Sequence, residues 1–159
     1  MTISVGDTIP DVALNLATPE GPVPVRTGQY FKGKTVALFA VPGAFTPTCS
    51  AKHLPSFVEK ADELKAKGID QIAATSVNDG FVMGEWGRQS GSEDIDMLAD
   101  GNADFAEALG LIMDAGGFGM GKRSQRYSMI VEDGVVKKLN VEEPGAYAVS
   151  GAETLLGQL

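Results

Sequence analysis

The stretch from residue 36 to residue 55 constrains the fold and chemistry of this chain more than any other. It opens with six apolar residues, Val36–Val41, a pattern typical of a strand that is buried on both faces. Pro42 and Gly43 end that strand, and a helix is predicted to begin at Pro47. The sequence therefore predicts a central strand, a short loop and a helix in direct succession.

The only cysteine of the chain, Cys49, falls in the first turn of this predicted helix. Free N–H groups and the positive end of the helix dipole gather there and stabilise the thiolate form of a cysteine. A lone cysteine is more often a small buried apolar residue without chemistry. Here, however, the hydroxyl of Thr46 can reach the sulfur from three residues earlier, and Pro42 and Pro47 stiffen the loop. The combination predicts a reactive thiol.

The segment Pro42-Gly-Ala-Phe-Thr-Pro-Thr-Cys49 resembles the Pro-x-x-x-Thr-x-x-Cys signature of the peroxiredoxins, in the form of the type II, peroxiredoxin-5-like subfamily. The likeness spans nearly the whole chain and continues in residues 52–57, 61–68, 76–83 and 126–134. It implies a thioredoxin-like α/β fold, in which helices flank a mixed central sheet with an N-terminal hairpin. It also implies a thiol peroxidase that acts on hydrogen peroxide and alkyl hydroperoxides without a cofactor.

The resemblance implies roles for individual residues. Cys49 would attack the peroxide, Thr46 would hold the peroxide and share its proton, and Arg126 would stabilise the thiolate and the developing charge. The substrate would bind at Cys49, Thr46, Pro42 and Gly43, with Pro42 shielding the sulfur.

Two further residues near these positions leave alternatives open. His53 follows Cys49 by one helical turn, so it could form a Cys–His catalytic pair, or it could pack and hydrogen-bond beside the site as a supporting residue. We favour the supporting role. Arg123 is the alternative candidate for the active-site arginine that the resemblance assigns to Arg126. Arg126 immediately precedes a predicted strand at Tyr127, whereas Arg123 lies in a glycine-rich segment.

The single cysteine limits how the oxidised enzyme can be reduced, because the chain has no second cysteine to form a disulfide with it. Some relatives carry a second, resolving cysteine at the position of Ala74 and others near that of Val149, so the resemblance implies a single-cysteine member. An external thiol would then reduce the enzyme, with glutathione and a glutaredoxin as first choice and a thioredoxin as second. One cysteine and one histidine exclude an intramolecular disulfide and a structural zinc site.

Two other classes of function remain as alternatives. A non-catalytic thioredoxin-fold binding module would have no use for the set of Thr46, Cys49 and Arg126. A Cys–His hydrolase or transferase would need His53 as its base.

Charge and length restrict the partners and the compartment. A net charge of −8 and an isoelectric point near 4.6 argue against nucleic-acid and anionic-membrane partners. We expect a single domain over residues 1–159 in the cytoplasm, because the sequence shows neither a signal peptide nor an apolar run long enough to span a bilayer. The resemblance implies a homodimer built near the site, and its candidate apolar contacts are Phe45, Phe81, Trp86 and Phe118 or Met120.

Periodicity and turn residues predict the remaining elements. In chain order these are a hairpin with an open turn (11–16 and 23–26), a short turn or helix (29–34), a helix ending at Gly68, a strand (69–77), a helix capped by Asn78 or Asp79 and ending near Gln89, a short strand (93–100), a helix (104–109), a glycine-rich loop (115–123), a hairpin (127–132 and 135–141) and a C-terminal helix.

Five local signals give sharper predictions. Pro55 should kink or break the helix that carries the cysteine, and Ser150–Glu153 has the spacing of a capping box. Asp133–Gly134 favours a type I′ turn. Gly116–Lys122 matches part of a phosphate-binding loop, but Arg123 replaces the required Ser or Thr, so nucleotide binding is rejected. The acidic stretch 94–104 lacks the pattern of a calcium loop and is expected to be a solvated face.

Overall fold

Seven strands form one mixed sheet at the centre of the computed structural model, which describes residues 2–159. The described residues form nine strands in all: β1 (Ala13–Thr18), β2 (Gly21–Arg26), β3 (Thr35–Ala40), β4 (Gln71–Ser76), β5 (Ile95–Ala99), β6 (Ile112–Asp114), β7 (Lys122–Ser124), β8 (Tyr127–Glu132) and β9 (Val135–Val141). The central sheet has the order β2-β1-β5-β4-β3-β8-β9, while β6 and β7 form a separate hairpin. Strands β3, β4 and β5 are parallel, and the other pairs are antiparallel.

Helices cover both faces of this sheet. They are α1 (Thr27–Tyr30), α2 (Leu54–Ala66), α3 (Gly80–Gln89), α4 (Asp104–Leu109) and α5 (Ala152–Gly157), with a π-helical turn at Cys49–His53 and a 3-10 turn at Gly116–Phe118. Apolar side chains of α2, α3 and α5 form the core on one face, and those of α1 and α4 contribute to the core on the other. The predicted α/β architecture with a mixed sheet is confirmed.

Strand β3 lies between the two cores, which explains its unbroken apolar sequence. Ala37 and Phe39 point to one core, Val36 and Leu38 to the other, and all four are fully buried. Phe39 also stacks on Phe57 of α2, with the ring centres 4.1 Å apart. Burying one such aromatic side chain contributes about 1.5–3 kcal/mol, so packing fixes the point at which the cysteine loop leaves the sheet.

The predicted kink or break at Pro55 takes the form of a change in helix type: the π-helical turn ends at His53, and α2 starts at Leu54 with Pro55 in its first turn. Helical conformation begins at Pro47 and continues to the end of α2. Ahead of Pro55 the chain widens into the π-helical turn, in which the N–H of Leu54 donates to the carbonyl of Cys49, five residues back. This wider turn accommodates a proline, which has no N–H to donate, without ending the helix.

The two long hairpins close differently from each other. Thr18 pairs with Gly21, and the Thr18 hydroxyl donates to the Gly21 carbonyl over 2.6 Å, so the N-terminal turn is tight rather than open. As predicted, proline-rich β2 lies at the sheet edge. Asp133 and Gly134 have positive φ angles of 48° and 79°, as the predicted type I′ turn requires.

The predicted capping box at the start of α5 is wrong. Helix α5 begins at Ala152 after Gly151, with no side-chain cap. The Ser150 hydroxyl donates instead to the carboxylate of Glu142, over 2.7 Å. A carboxylate eight residues earlier in the chain therefore binds the hydroxyl that was predicted to cap the helix.

The other predicted elements agree with the structure to within a few residues. Asp79, not Asn78, caps α3 by accepting from the N–H of Val82 over 2.8 Å. Helix α4 has the predicted bounds. The glycine-rich segment is shorter than predicted as a loop, because its last residues, Lys122 and Arg123, already pair with β6.

Candidate active site

The loop after β3 carries Cys49 to the end of the central strand and buries it there. Helical conformation starts at Pro47, so Cys49 is the third residue of the helical segment and opens the π-helical turn. Its N–H is one of the first four of the helix, which have no partner within the helix. Pro42, at the start of the loop, is half-buried, and the cysteine side chain is fully buried.

Arg126 reaches the cysteine sulfur from the adjacent strand. It stands immediately before Tyr127, which pairs with Ala40 at the end of β3. Arg126 Nη2 donates to the Sγ of Cys49 over 3.0 Å, and Nη1 lies 2.8 Å from Nδ1 of His53. A guanidinium is permanently charged and presents a planar fork of donors, so this arrangement places a fixed positive charge beside the sulfur.

His53 is fully buried, and both of its ring nitrogens are engaged. Nε2 lies 2.9 Å from the carbonyl oxygen of Ser150, and Nδ1 faces Arg126. A carbonyl only accepts and a guanidinium only donates, so the ring must donate through Nε2 and accept through Nδ1. Burial and then the positive charge of Arg126 lower the pKa of His53 to about 3, which keeps the ring neutral.

This geometry favours the supporting interpretation of His53. A neutral ring with both nitrogens occupied has no free nitrogen to act as a base on Cys49. The supporting role of His53 stays a prediction, and no contact between its ring and the Cys49 sulfur is found among the described residues.

Thr46 approaches the sulfur from the opposite end of the loop. Its Oγ1 lies 2.8 Å from the Sγ of Cys49 and 2.7 Å from the carbonyl oxygen of Gly43. A hydroxyl has one hydrogen but two lone pairs. While that hydrogen bonds the Gly43 carbonyl, the oxygen can accept a hydrogen bond from its other side. After rotation the hydroxyl can donate to the sulfur.

The loop backbone is packed closely. A Cβ atom on Gly43 would stand 3.2 Å from the Met120 methyl group and 3.2 Å from the Thr46 methyl group, tighter than ordinary contact. Asn78, which the sequence suggested only as a possible helix cap, instead accepts a hydrogen bond from the N–H of Ala44 over 3.0 Å. The loop is thus tied to the end of β4.

Arg123 does not hydrogen-bond the sulfur. Its Nε donates to the Met120 carbonyl and its Nη1 to the Val77 carbonyl, each over 3.0 Å. Arg123 therefore braces the backbone around the site, and Arg126 is the arginine at the thiol.

Two residues at the site were not predicted to lie there. The carbonyl of Ser150 accepts from His53, and the ring of Tyr147 lies 5.1 Å from the His53 ring, centre to centre. The Arg126 guanidinium carbon also lies 5.9 Å from the centre of the Tyr147 ring. Both residues follow β9 in a segment without regular structure, where neither spacing nor periodicity marks a side chain as inward-facing.

Comparison with known proteins identifies the family. The Redoxin family model matches residues 4–156. The chloroplastic peroxiredoxin-2E-2 of Oryza sativa subsp. japonica is 51% identical over 164 residues, covering 99% of this chain and 73% of that protein. The chain belongs to the peroxiredoxins. The resemblance to the type II, peroxiredoxin-5-like branch is confirmed, and the chain is a thiol peroxidase.

Solved peroxiredoxin structures share its fold. Reduced Prx3 of Vibrio vulnificus in complex with hydrogen peroxide is 55% identical, with a TM-score of 0.95 and 99% of both chains covered. The Plasmodium falciparum antioxidant protein, a 1-Cys peroxiredoxin, is 27% identical, with a TM-score of 0.90 and 96% of both chains covered. The predicted thioredoxin-like fold is confirmed.

The apolar residues named as candidate dimer contacts differ in their surroundings. Trp86 is buried in the core of this peroxiredoxin, and its Nε1 donates to the Ser50 hydroxyl over 3.0 Å. By contrast, Phe45 is 47% exposed, Phe81 is 75% exposed and Phe118 is 87% exposed. Those three aromatic side chains are available for contact with another molecule.

Three further observations concern resolving cysteines, metals and membranes. In this peroxiredoxin, Ala74 is buried within β4, and Val149 lies 41% exposed in the segment before α5. Between residues 2 and 159, no group of three or more His, Cys, Asp or Glu side chains is arranged to hold a metal ion. No helix in the described part of the chain has the length and apolar character to cross a membrane.

Proposed function

We propose that this peroxiredoxin reduces hydrogen peroxide and alkyl hydroperoxides by a single-cysteine cycle in which Cys49 is the nucleophile. The observation that carries the proposal is the arrangement around one sulfur. A hydroxyl that can accept a hydrogen bond, from Thr46, lies 2.8 Å away, and a permanent cation, Arg126, lies 3.0 Å away. The bound hydrogen peroxide of the Vibrio vulnificus relative supports hydrogen peroxide as a substrate.

In the first step the thiolate of Cys49 attacks the terminal oxygen of the hydroperoxide. An S–O bond forms and the O–O bond breaks, and the proton of the attacked oxygen passes to the leaving oxygen, which departs as water or an alcohol. The sulfenate left on the enzyme takes up one proton from water to become the sulfenic acid. Arg126 and the N–H of Cys49 stabilise the negative charge as it moves from sulfur to the leaving oxygen. Thr46 positions the peroxide and relays its proton, while Pro42 and Gly43 line the approach.

In the second step an external thiol reduces the sulfenic acid. The first thiol condenses with it to a mixed disulfide and releases water, and a second thiol regenerates Cys49 and leaves as part of a disulfide. The single cysteine of the chain and its likeness to a 1-Cys peroxiredoxin support this route. Glutathione with a glutaredoxin is the first proposed reductant, and thioredoxin is the second.

Mass spectrometry of the intact protein tests the cycle directly. One equivalent of hydrogen peroxide should add one oxygen to the wild-type chain, and the same treatment with glutathione present should give a glutathione adduct at Cys49. Cys49→Ser should give neither product and should keep its fold, because serine is close in size to cysteine. A wild-type protein that consumes peroxide without an oxygen or glutathione adduct at Cys49 would contradict the proposal.

Peroxide turnover with purified reductants then ranks the two partners. We expect faster turnover with glutathione and glutaredoxin than with thioredoxin and its reductase at equal enzyme concentration. Faster turnover with thioredoxin would make thioredoxin the first proposed reductant and would leave the role of Cys49 unchanged.

We also propose a homodimer that uses the exposed aromatic side chains. The exposure of three large apolar side chains supports it: Phe45 is 47% exposed, Phe81 75% and Phe118 87%. Sedimentation of wild type, Phe81→Ser and Phe118→Ser tests it, with Val5→Ser, at an exposed position in the N-terminal segment, as the control. A wild-type monomer at micromolar concentration would contradict the dimer.

The cytoplasmic location stays a prediction, which fractionation of the source cells would test.

A further inference from the structure

The side chain of Arg126 belongs to a closed ring of hydrogen bonds that leaves the active site and returns to the same residue. From the guanidinium, the ring passes through the His53 imidazole to the Ser150 carbonyl. From Ser150 it passes to Glu142, because the Ser150 N–H donates to the Glu142 carboxylate over 2.8 Å. Glu142 closes the ring, since its own N–H donates to the Arg126 carbonyl over 2.9 Å.

Glu142 holds the part of this ring that is not in regular structure. Its Oε2 accepts from the N–H groups of Ala148, Val149 and Ser150, each over 2.8 Å, and from the Ser150 hydroxyl over 2.7 Å. Its side chain is only 7% exposed and forms no ion pair within the described residues. One carboxylate thus fixes three consecutive peptide groups of the segment before α5.

The position of the Ser150 carbonyl decides what His53 can do. That carbonyl is the acceptor that keeps the proton on Nε2, which leaves Nδ1 free to accept from Arg126. If the carbonyl moved away, the ring could adopt the other tautomer and place an N–H against the guanidinium. Arg126 would then lose the acceptor that aims its fork at Cys49.

We propose that Glu142 is a positioning residue for the peroxidase reaction: it fixes the Ser150 carbonyl, and through His53 it aims Arg126 at the Cys49 sulfur. This inference rests on the proposed function, in which Arg126 stabilises the thiolate. Glu142 itself touches neither the sulfur nor the peroxide. Its effect is therefore expected on the reaction rate only while Arg126 is present.

The test compares Glu142→Gln and Glu142→Asp with a matched control. Glutamine keeps one acceptor oxygen, but it removes the negative charge and replaces Oε1 with an NH₂ group that faces the N–H of Ala148, so it should loosen the segment. Aspartate keeps a carboxylate on a shorter stem. The control is Asp100→Asn, because the buried Asp100 carboxylate also accepts from two backbone N–H groups, at Phe105 and Ala106, but belongs to no part of the ring. Thermal unfolding shows that each variant is folded before its rate is measured.

The first readout is the rate at which Cys49 reacts with hydrogen peroxide in a single turnover. We expect Glu142→Gln to slow it roughly tenfold, as loss of a residue that orients a functional side chain commonly does, and Glu142→Asp to recover part of the rate. Asp100→Asn should stay within about twofold of wild type. In an Arg126→Ala background, Glu142→Gln should add less than about a further twofold, because its route to the sulfur is already cut.

The second readout is the tautomer of His53, observed by nuclear magnetic resonance of the ring nitrogens in untagged protein. The chain has one histidine, so the signal needs no assignment. Wild type should show the Nε2–H form, Glu142→Gln should lose or mix it, and Asp100→Asn should leave it unchanged. A wild-type ring protonated on Nδ1 instead would overturn the proposal even if no Glu142 variant folded.

The remaining outcomes separate this inference from the proposed function. A folded Glu142→Gln protein that reacts at the wild-type rate, or is slowed equally with and without Arg126, overturns the positioning role alone. If Arg126→Ala itself reacts at the wild-type rate, the proposed role of Arg126 fails, and the positioning role fails with it.

Discussion

Arg126 donates to the Cys49 sulfur over 3.0 Å, although the two residues are 77 positions apart in the chain. Arg123 lies only three positions before Arg126 in the sequence, but it donates to the carbonyls of Val77 and Met120 instead. Both arginines sit near the thiol, and only one is placed to act on its charge.

This difference gives the first prediction. A charge-assisted hydrogen bond contributes about 1.5–3 kcal/mol, and about 1.4 kcal/mol corresponds to a factor of ten in rate. We therefore expect Arg126→Ala to slow the reaction of Cys49 with hydrogen peroxide by about tenfold or more, as measured by stopped flow. Arg126→Lys should restore only part of the rate, because a point charge cannot bond His53 and the sulfur with one planar fork.

Arg123→Ala is the matched control for that experiment. It removes an arginine from the same region but leaves the bond to sulfur intact, so the rate should change less than with Arg126→Ala. A larger loss with Arg123→Ala would mean that the assignment is wrong by three positions.

The second prediction concerns the hydroxyl of Thr46. Thr46→Val keeps the shape of the side chain but removes the only hydroxyl that contacts the sulfur, and losing one such positioned group costs about 10²-fold in rate. Thr46→Ser should keep most of the activity. Thermal unfolding of both variants should stay near wild type, and wild-type turnover by Thr46→Val would show that this hydroxyl has no part in the reaction.

The third prediction concerns Gly43→Ala. The added methyl group would stand 3.2 Å from the methyl groups of Met120 and Thr46, so it would push against both and shift the hydroxyl that faces the sulfur. Misplacing a reacting group by a fraction of an ångström is expected to slow peroxide reduction roughly threefold or more. Gly117→Ala is the control, because a methyl group there meets open space. Equal rates for both variants would contradict the packing argument.

The fourth prediction concerns the dependence of stability on pH. Burial and the charge of Arg126 lower the pKa of folded His53 to about 3, whereas the unfolded chain has the ordinary value of 6.5. Between pH 6.5 and about 3, His53 is therefore protonated in the unfolded state but neutral in the native state. The contribution of His53 to stability is complete above pH 6.5 and is lost as the pH falls, by about 1.4 kcal/mol per pH unit at most.

Asp100 acts in the opposite direction and must be removed from the measurement. Burial raises its pKa from 3.8 to about 6, so the native state binds a proton more readily than the unfolded state as the pH falls below 6. Denaturant unfolding of Asp100→Asn and of Asp100→Asn with His53→Gln, between pH 7.5 and about 5, isolates the histidine. The double variant should lose less stability over this interval; parallel curves would show that His53 is not the group responsible.

Local patterns predicted the elements whose stability depends on local rules. The β8–β9 hairpin follows from alternating apolar residues around Asp133–Gly134, a pair that tolerates the positive φ angles of its turn. The bounds of α4 and the burial of β3 follow in the same way from periodicity.

Local patterns were less informative where a side chain had a competing partner or where the helix changed type. Ser150 has the spacing of a capping box, but its hydroxyl donates to Glu142, eight residues earlier. Pro55 was expected to kink or break the helix, and the chain changes there from a π-helical turn to a regular helix. The sequence pattern predicts neither the competing carboxylate nor the π-helical form of the turn.

The active site shows the same division. Thr46 and Cys49 could be predicted as partners, because a separation of three residues at a helix start brings their side chains together. Arg126 was found only through a resemblance to a known family. The partner of His53, the Ser150 carbonyl, lies 97 positions away, and no sequence pattern marks a carbonyl as an acceptor.

The bond between Trp86 and Ser50 gives this protein a built-in optical signal. Trp86 is the only tryptophan in the chain, so emission excited at long wavelength comes from one indole. Its N–H is tied to the residue directly after the reactive thiol, within the π-helical turn. If oxidation of Cys49 moves this turn, the surroundings of the indole change with it. The fluorescence of the unlabelled protein is therefore expected to follow the redox cycle in real time.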